Sequence, residues 1–380
     1  MHPFLFRFSI NLLYSLKCSI MVLLRKNWGV KMKKKFLIIL ALVLFLVGCG
    51  QKPKEKYSKM FYDTFDTQIQ YLEYAESEDK FNENFKFVKE EFTRLHKLYD
   101  NYKNYEGINN VKTINDNAGK EPVKVDKDLF DLIKFSKENY EKTLGKVNIA
   151  MGSVLRIWHD VRENNEGVEE SKTIIPTQKE LEEANKHTDI NAIELNEKDM
   201  SVFIKDPEVS IDLGSTAKGY AVEFISKKLE DKKIESASIN AGGNVKTIGK
   251  KPDGKPWKIA LQNPDLESTE YLDILDLDGT MSVVTSGDYQ RFFMHKGKRY
   301  HHLIDPKTLQ PALIYRSVSI VTEDSGLADL LSTALYLSDQ DEAKKILENY
   351  KEKINVLWAT DTEKWNTEGL DNILEFKNKN

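Results

Sequence analysis

The sequence predicts a single α+β domain with a largely antiparallel sheet and flanking helices. Two observations lead there. Stretches with apolar residues every three or four positions are mixed with short runs of two-residue alternation, the periods of helix and strand. No repeat or low-complexity tract organises them. With 40% hydrophobic and 31% charged residues, the 380-residue chain has an ordinary globular balance. A net charge of −4, its lysines interspersed with acids, offers no basic field for nucleic acid.

Lys33 to Lys35 precede an apolar run from Phe36 to Val47, then Gly48 and Cys49. That is the order of a secretory signal, too short for a stable membrane span. Leu46-Val47-Gly48-Cys49 resembles a lipobox, so Cys49 is the expected lipid-bearing residue; a plain signal anchor is the alternative. The expected organisation is a signal at 32–48, a lipidated tether at 49–59 and one domain at 60–376. Residues 1–31 are expected to be a misassigned extension, or else a membrane-associated prefix. The only other cysteine is Cys18, so the mature chain has no disulfide or cysteine zinc site.

Phe81, Phe85, Val88, Phe92, Leu95 and Leu98 form a helical stripe, and Asp126 can cap a second helix. Residues 160–171, charged and poor in apolar side chains, suggest an exposed insertion. Thr177 and Glu180 form a capping box opening a helix to about residue 187. Strands are expected at 193–195, 202–204, 236–239, 257–261, 283–285, 317–322 and 354–358, and helices at 217–229, 327–337 and 341–350.

Chemistry-bearing residues concentrate between Asp212 and Thr333. Asp212-Leu213-Gly214-Ser215-Thr216-Ala217-Lys218 sets a carboxylate and a lysine at the mouth of a helix, which suits phosphate or is a capped surface helix. Gly242-Gly243 after a strand allows close backbone approach to a ligand, or simply a tight turn. Thr285-Ser286-Gly287-Asp288-Tyr289 is a second strand leading into a small polar turn. In His301-His302-Leu303-Ile304-Asp305, one imidazole can act as general base with Asp305 fixing its tautomer. A shared zinc is disfavoured because strand neighbours face opposite sides. Asp329 and Thr333, one helical turn apart, can share a hard cation such as Mg²⁺, or lie on a wet helix face.

Together these five ordered motifs resemble the ApbE family, the FAD:protein FMN transferases. The resemblance implies a T-fold-like α+β domain holding FAD in a cleft, with Mg²⁺ on its pyrophosphate. By that resemblance Asp329, Thr333 and the Ser215 carbonyl hold the metal. Phe65, Tyr102, Asp212, Lys218, Gly242, Gly243, Ser286, Gly287 and Ile304 contact the flavin nucleotide. His302, assisted by Asp305, activates the acceptor hydroxyl. The implied acceptor is a threonine or serine of an exported or membrane electron-transfer protein, and AMP leaves. A lipid-anchored enzyme on the extracytoplasmic face of a bacterial membrane fits that role.

The chain departs from the family pattern in places. Phe65-Asp66-Thr67 stands for Met-Gly-Thr; Asp100-Asn101-Tyr102 through Asn115 is a loose match; Met151-Gly152-Ser153-Val154 to Trp158 replaces the flavin-side motif. Thr308-Leu309 replaces Thr-Gly, and leucine does not readily take φ > 0, so that turn is expected to be built differently. Two other functions stay open: a Mg²⁺-dependent FAD pyrophosphatase releasing FMN and AMP, and a non-catalytic flavin- or solute-binding lipoprotein.

Overall fold

In the computed structural model, residues 53–376 are described; the signal, Cys49 and the residues before them lie outside that range. The strands are β1 Glu55–Thr64, β2 Thr67–Ala75, β3 Val123–Lys124, β4 Ile193–Asn196, β5 Ser201–Ile204, β6 Ser236–Ala241, β7 Asn244–Gly249, β8 Trp257–Leu261, β9 Asp273–Leu277, β10 Ser282–Gly287, β11 Phe292–His295, β12 Lys298–His301, β13 Ser317–Thr322, β14 Asn355–Ala359 and β15 Lys364–Asn366. The helices are α1 Glu78–Tyr99, α2 Val111–Asp116, α3 Lys127–Glu138, α4 Gly152–Asn165, α5 Gln178–Asn185, α6 Ala217–Asp231, α7 Ser325–Tyr336 and α8 Gln340–Glu348.

Eight strands form one antiparallel sheet in the order β1-β2-β6-β7-β10-β13-β14-β15. Alternation along its central strands sorts two cores. Val284, Ile320 and Val356 face α7, whereas Val283, Val321 and Leu357 meet Trp257, Leu275 and Leu277 of the β8–β9 hairpin. Helix α7 is buried almost throughout, lying against β10, β13 and α6.

Two hairpin tips meet at one end of the sheet. Phe65 and Asp66, between β1 and β2, have φ of 55° and 48°; Gly242 and Gly243, between β6 and β7, have φ of 56° and 91°. Two consecutive positive φ values define the tight turn that suits strand twist. The Gly242 amide donates to the Gln68 carbonyl at 3.1 Å. A Cβ on Gly242 would lie 2.1 Å from Thr67 Oγ1, so no larger residue fits there.

Three expectations change. Strand β1 begins at Glu55, so residues 55–59 belong to the domain rather than to a tether. Helix α4 runs on to Asn165, and only the stretch beyond it loops out. Its charged outer face hid the periodicity, while Val154, Trp158 and Asn165 are buried inside. Leu309 does take φ 61°. It is 3% exposed, and its carbonyl accepts the Trp158 indole N–H at 2.9 Å, so burial and that bond offset the backbone strain.

Candidate active site

The two hairpin tips, the 211–218 loop, the end of β10 and one face of α7 enclose a cleft of about 1350 Å³. That exceeds the roughly 300–1,000 Å³ of ordinary small-molecule sites and suits a dinucleotide. Phe65, Tyr102, Asp212, Ser215, Lys218, Gly242, Gly243, Ser286, Gly287, His302, Ile304, Asp329 and Thr333 all line it. Among the predicted described residues, Asp305 alone does not.

The floor is set by a helix-to-helix contact. Lys218 and Gly219 stand in the first turn of α6, and the Gly219 amide donates to Asp329 Oδ2 at 2.7 Å. Thr333 lies one turn beyond Asp329. The other Asp329 oxygen has no hydrogen bond among the described residues. Ser215, Asp329 and Thr333 line the same cleft, and a carboxylate, a hydroxyl and a backbone carbonyl are the donor types a small divalent cation takes. Among the described residues no three His, Cys, Asp or Glu side chains cluster as metal ligands.

The 211–215 loop is held from outside. Asn115 clamps Ile211 through both amide atoms, accepting its N–H at 2.8 Å and donating to its carbonyl at 3.0 Å. Asn101 donates to Asp212 Oδ2 at 3.0 Å, and Asp212 Oδ1 accepts the Gly214 amide at 2.8 Å. These asparagines lie in the stretch that matched the family pattern loosely. On another wall, Ser286 and Ser332 share a hydroxyl hydrogen bond of 2.8 Å.

Phe65 packs edge-on against Phe92, His96 and Tyr99, with centroids 6.0, 5.6 and 6.3 Å away. Its amide donates to His96 Nδ1 at 3.3 Å. Tyr102 has the Arg156 guanidinium 4.8 Å from its ring centroid and His159 at 4.8 Å.

The two histidines diverge where β12 ends: His301 is its last residue and His302 lies in the bend that follows. His301 is buried, bonded through Nε2 to the Ala312 carbonyl at 2.6 Å, and accepts the Leu303 amide. His302 turns to the cleft, and its Nδ1 is buried with no hydrogen-bond partner among the described residues. Burial drives its pKa well below the usual imidazole value, aided by the charges of Arg291, His301, Lys218 and Arg162. The ring is therefore neutral, as a base must be. Asp305 does not orient it. Its carboxylate accepts the Lys307 amide at 2.8 Å and its carbonyl the Leu309 amide at 2.7 Å, so Asp305 shapes the turn.

Asp288, from the same motif as Ser286 and Gly287, is structural. It accepts Arg316 Nε through both oxygens at 3.0 and 2.9 Å, and Arg299 Nη1 at 2.8 Å. These bonds tie β12, just before His302, to the central sheet.

Fold and site define an α+β protein with a nucleotide-sized cleft that gathers a carboxylate–hydroxyl pair and a neutral imidazole. The ApbE family model matches residues 65–358, and the chain belongs to that family. An FAD:protein FMN transferase of Vibrio cholerae serotype O1 is 27% identical over 333 residues, 86% of this chain and 95% of its own length. One from Klebsiella pneumoniae (strain 342) is 30% identical over 249 residues, 64% of this chain and 74% of its own. The crystal structure of the ApbE protein of Thermotoga maritima superposes with a TM-score of 0.72 at 28% identity, covering 84% of this chain and 99% of that one. The flavin transferase ApbE of Vibrio cholerae, at 21% identity over 84% of this chain and 100% of that one, shares the fold with a TM-score of 0.69.

Proposed function

We propose that this chain is an FAD:protein FMN transferase, acting with Mg²⁺ on a threonine or serine of another protein. The relatives' names support the activity. The observation that carries the mechanism is the neutral His302, its Nδ1 unpartnered among the described residues, in the same cleft as Asp329 and Thr333. His302 takes the proton of the acceptor hydroxyl as its oxygen attacks the FMN-side phosphorus. The bond from that phosphorus to the bridging oxygen breaks, and AMP leaves with the bridging oxygen. Asp329, Thr333 and the Ser215 carbonyl would hold Mg²⁺, which when bound supplies charge neutralisation on the pyrophosphate. Lys218 adds a fixed positive charge, and Gly242 and Gly243 let the backbone approach the nucleotide closely.

FAD hydrolysis, with water replacing the hydroxyl, uses the same residues and is the second reading. One experiment separates them: the protein with FAD, Mg²⁺ and a candidate acceptor peptide, followed by mass spectrometry of the peptide. An FMN adduct supports transfer; FMN and AMP with an unmodified peptide supports hydrolysis; intact FAD rejects both. We further propose that Cys49 anchors the chain to the extracytoplasmic face of the membrane, on the strength of the lipobox-like 46–49 sequence. Mature protein lacking a diacylglycerol on Cys49 would reject the anchor.

A further inference from the structure

Arg162 belongs to none of the five motifs, yet it lines the cleft near the end of α4. It shares a helix face with Arg156 and His159, three residues apart each. Arg156 lies near Asp160, but Arg162 has no carboxylate within 4 Å among the described residues. Its one polar contact is Nη2 to His159 Nδ1 at 2.9 Å. A guanidinium only donates, so that nitrogen of His159 accepts and its ring is neutral.

Arg291, on the loop between β10 and β11, is similarly unpaired and donates to the Asp66 carbonyl at 3.2 Å. Arg162, Arg291 and Lys218 come from three separate elements, and all are close enough to His302 to oppose its protonation. Arg291 is exposed, but Arg162 is half-buried, and a half-buried cation without an anion is costly, so it marks where an anion binds.

We propose that Arg162, opposite Arg291, binds the FMN-side phosphate of the dinucleotide. The inference rests on the FAD-cleaving reading. His302 must stand beside the phosphorus under attack, and Arg162 is felt at His302. A guanidinium there offers a forked pair of donors to phosphate oxygens, and its charge meets the charge that builds on them as the bond breaks.

The test measures binding of FMN, AMP and riboflavin to the wild-type protein, Arg162→Gln and Arg162→Lys. For Arg162→Gln the expected result is FMN binding weaker by about 10- to 100-fold. Riboflavin affinity and the unfolding temperature should stay unchanged, and AMP should lose less than FMN. Arg162→Lys, which keeps the charge, should recover part of the FMN affinity. Unchanged FMN affinity in Arg162→Gln would overturn the proposal. So would an equal loss for riboflavin, which would place the contact on the ring, or an effect confined to the KM of an acceptor peptide. If Arg162→Gln proves unfolded, Arg162→Lys decides: FMN affinity below wild type with riboflavin affinity unchanged supports the contact, and wild-type FMN affinity overturns it. A wild-type protein that binds no flavin nucleotide would instead reject the proposed function.

Discussion

The Gly219 amide meets the Asp329 carboxylate at 2.7 Å, and a Cβ on Gly219 would lie 2.3 Å from both Asp329 Cβ and the Ser325 carbonyl oxygen. The first turn of α6 therefore aims the residue expected to hold Mg²⁺. Gly219→Ala should force the helices apart at a cost of about 1–3 kcal/mol. FAD cleavage should fall with it, and the Mg²⁺ concentration for half-maximal rate should rise. Asp329→Ala should abolish cleavage while keeping the fold. Wild-type Mg²⁺ dependence in Gly219→Ala, read by titration, would count against this coupling.

The adjacent histidines should fail differently. His302→Asn should keep the unfolding temperature and FAD affinity but slow transfer by about 10²–10⁴-fold, the usual range for general-base help. His301→Asn should instead lose stability by about 1–3 kcal/mol, because the Ala312 carbonyl is left unsatisfied. Its folded fraction should remain active. Single-turnover transfer alongside thermal unfolding separates the two, and equal kinetic losses would remove His302 from its role.

His302 should give the pH profile an unusual acid limb. Because burial and then Arg291 hold its pKa well below the ordinary value, the rate should persist below about pH 6.5. Arg291→Gln should move the limb upward. The linkage has a definite sign. A folded imidazole that refuses a proton gives stability that is present above the unfolded pKa of about 6.5 and is lost as pH falls below it. A kcat/KM profile with its acid limb above pH 7 would contradict this.

Leu309 tests strain against burial. Leu309→Gly would relieve about 1–2 kcal/mol of left-handed backbone cost. It would also remove a side chain that is 3% exposed among Met151, Trp158 and Phe293, a loss of about 3–5 kcal/mol. The net expectation is destabilisation by roughly 1–4 kcal/mol, measurable by denaturant unfolding. A more stable variant would show that strain dominates.

Much of this was legible locally. The α1 stripe, the Thr177–Glu180 box and the five motifs are written in residues a few positions apart, and the structure brings the motifs to one cleft. Strand β1 was not, because Lys56, Ser58 and Met60 lie on an exposed edge where nothing enforces alternation. The Asn115 clamp spans 96 residues, so no window contains both partners. Asp305 misled because three residues from His302 reads as proximity, whereas the turn points its carboxylate back at its own chain. Arg162 escaped notice because the lack of an acid partner is a property of tertiary structure.

The pairing of β2 with β6 has a consequence for when the enzyme becomes competent. Tyr71 sits opposite Ile239, and the cleft they help support is closed by Asp329 and Thr333 near the far end of the chain. Such distant pairings form slowly, since a long loop must close before they add stability. A nascent or truncated polypeptide lacking α7 has no site at all. Flavin can therefore be spent only once synthesis has passed α7, so the growing chain stays inert for most of its length.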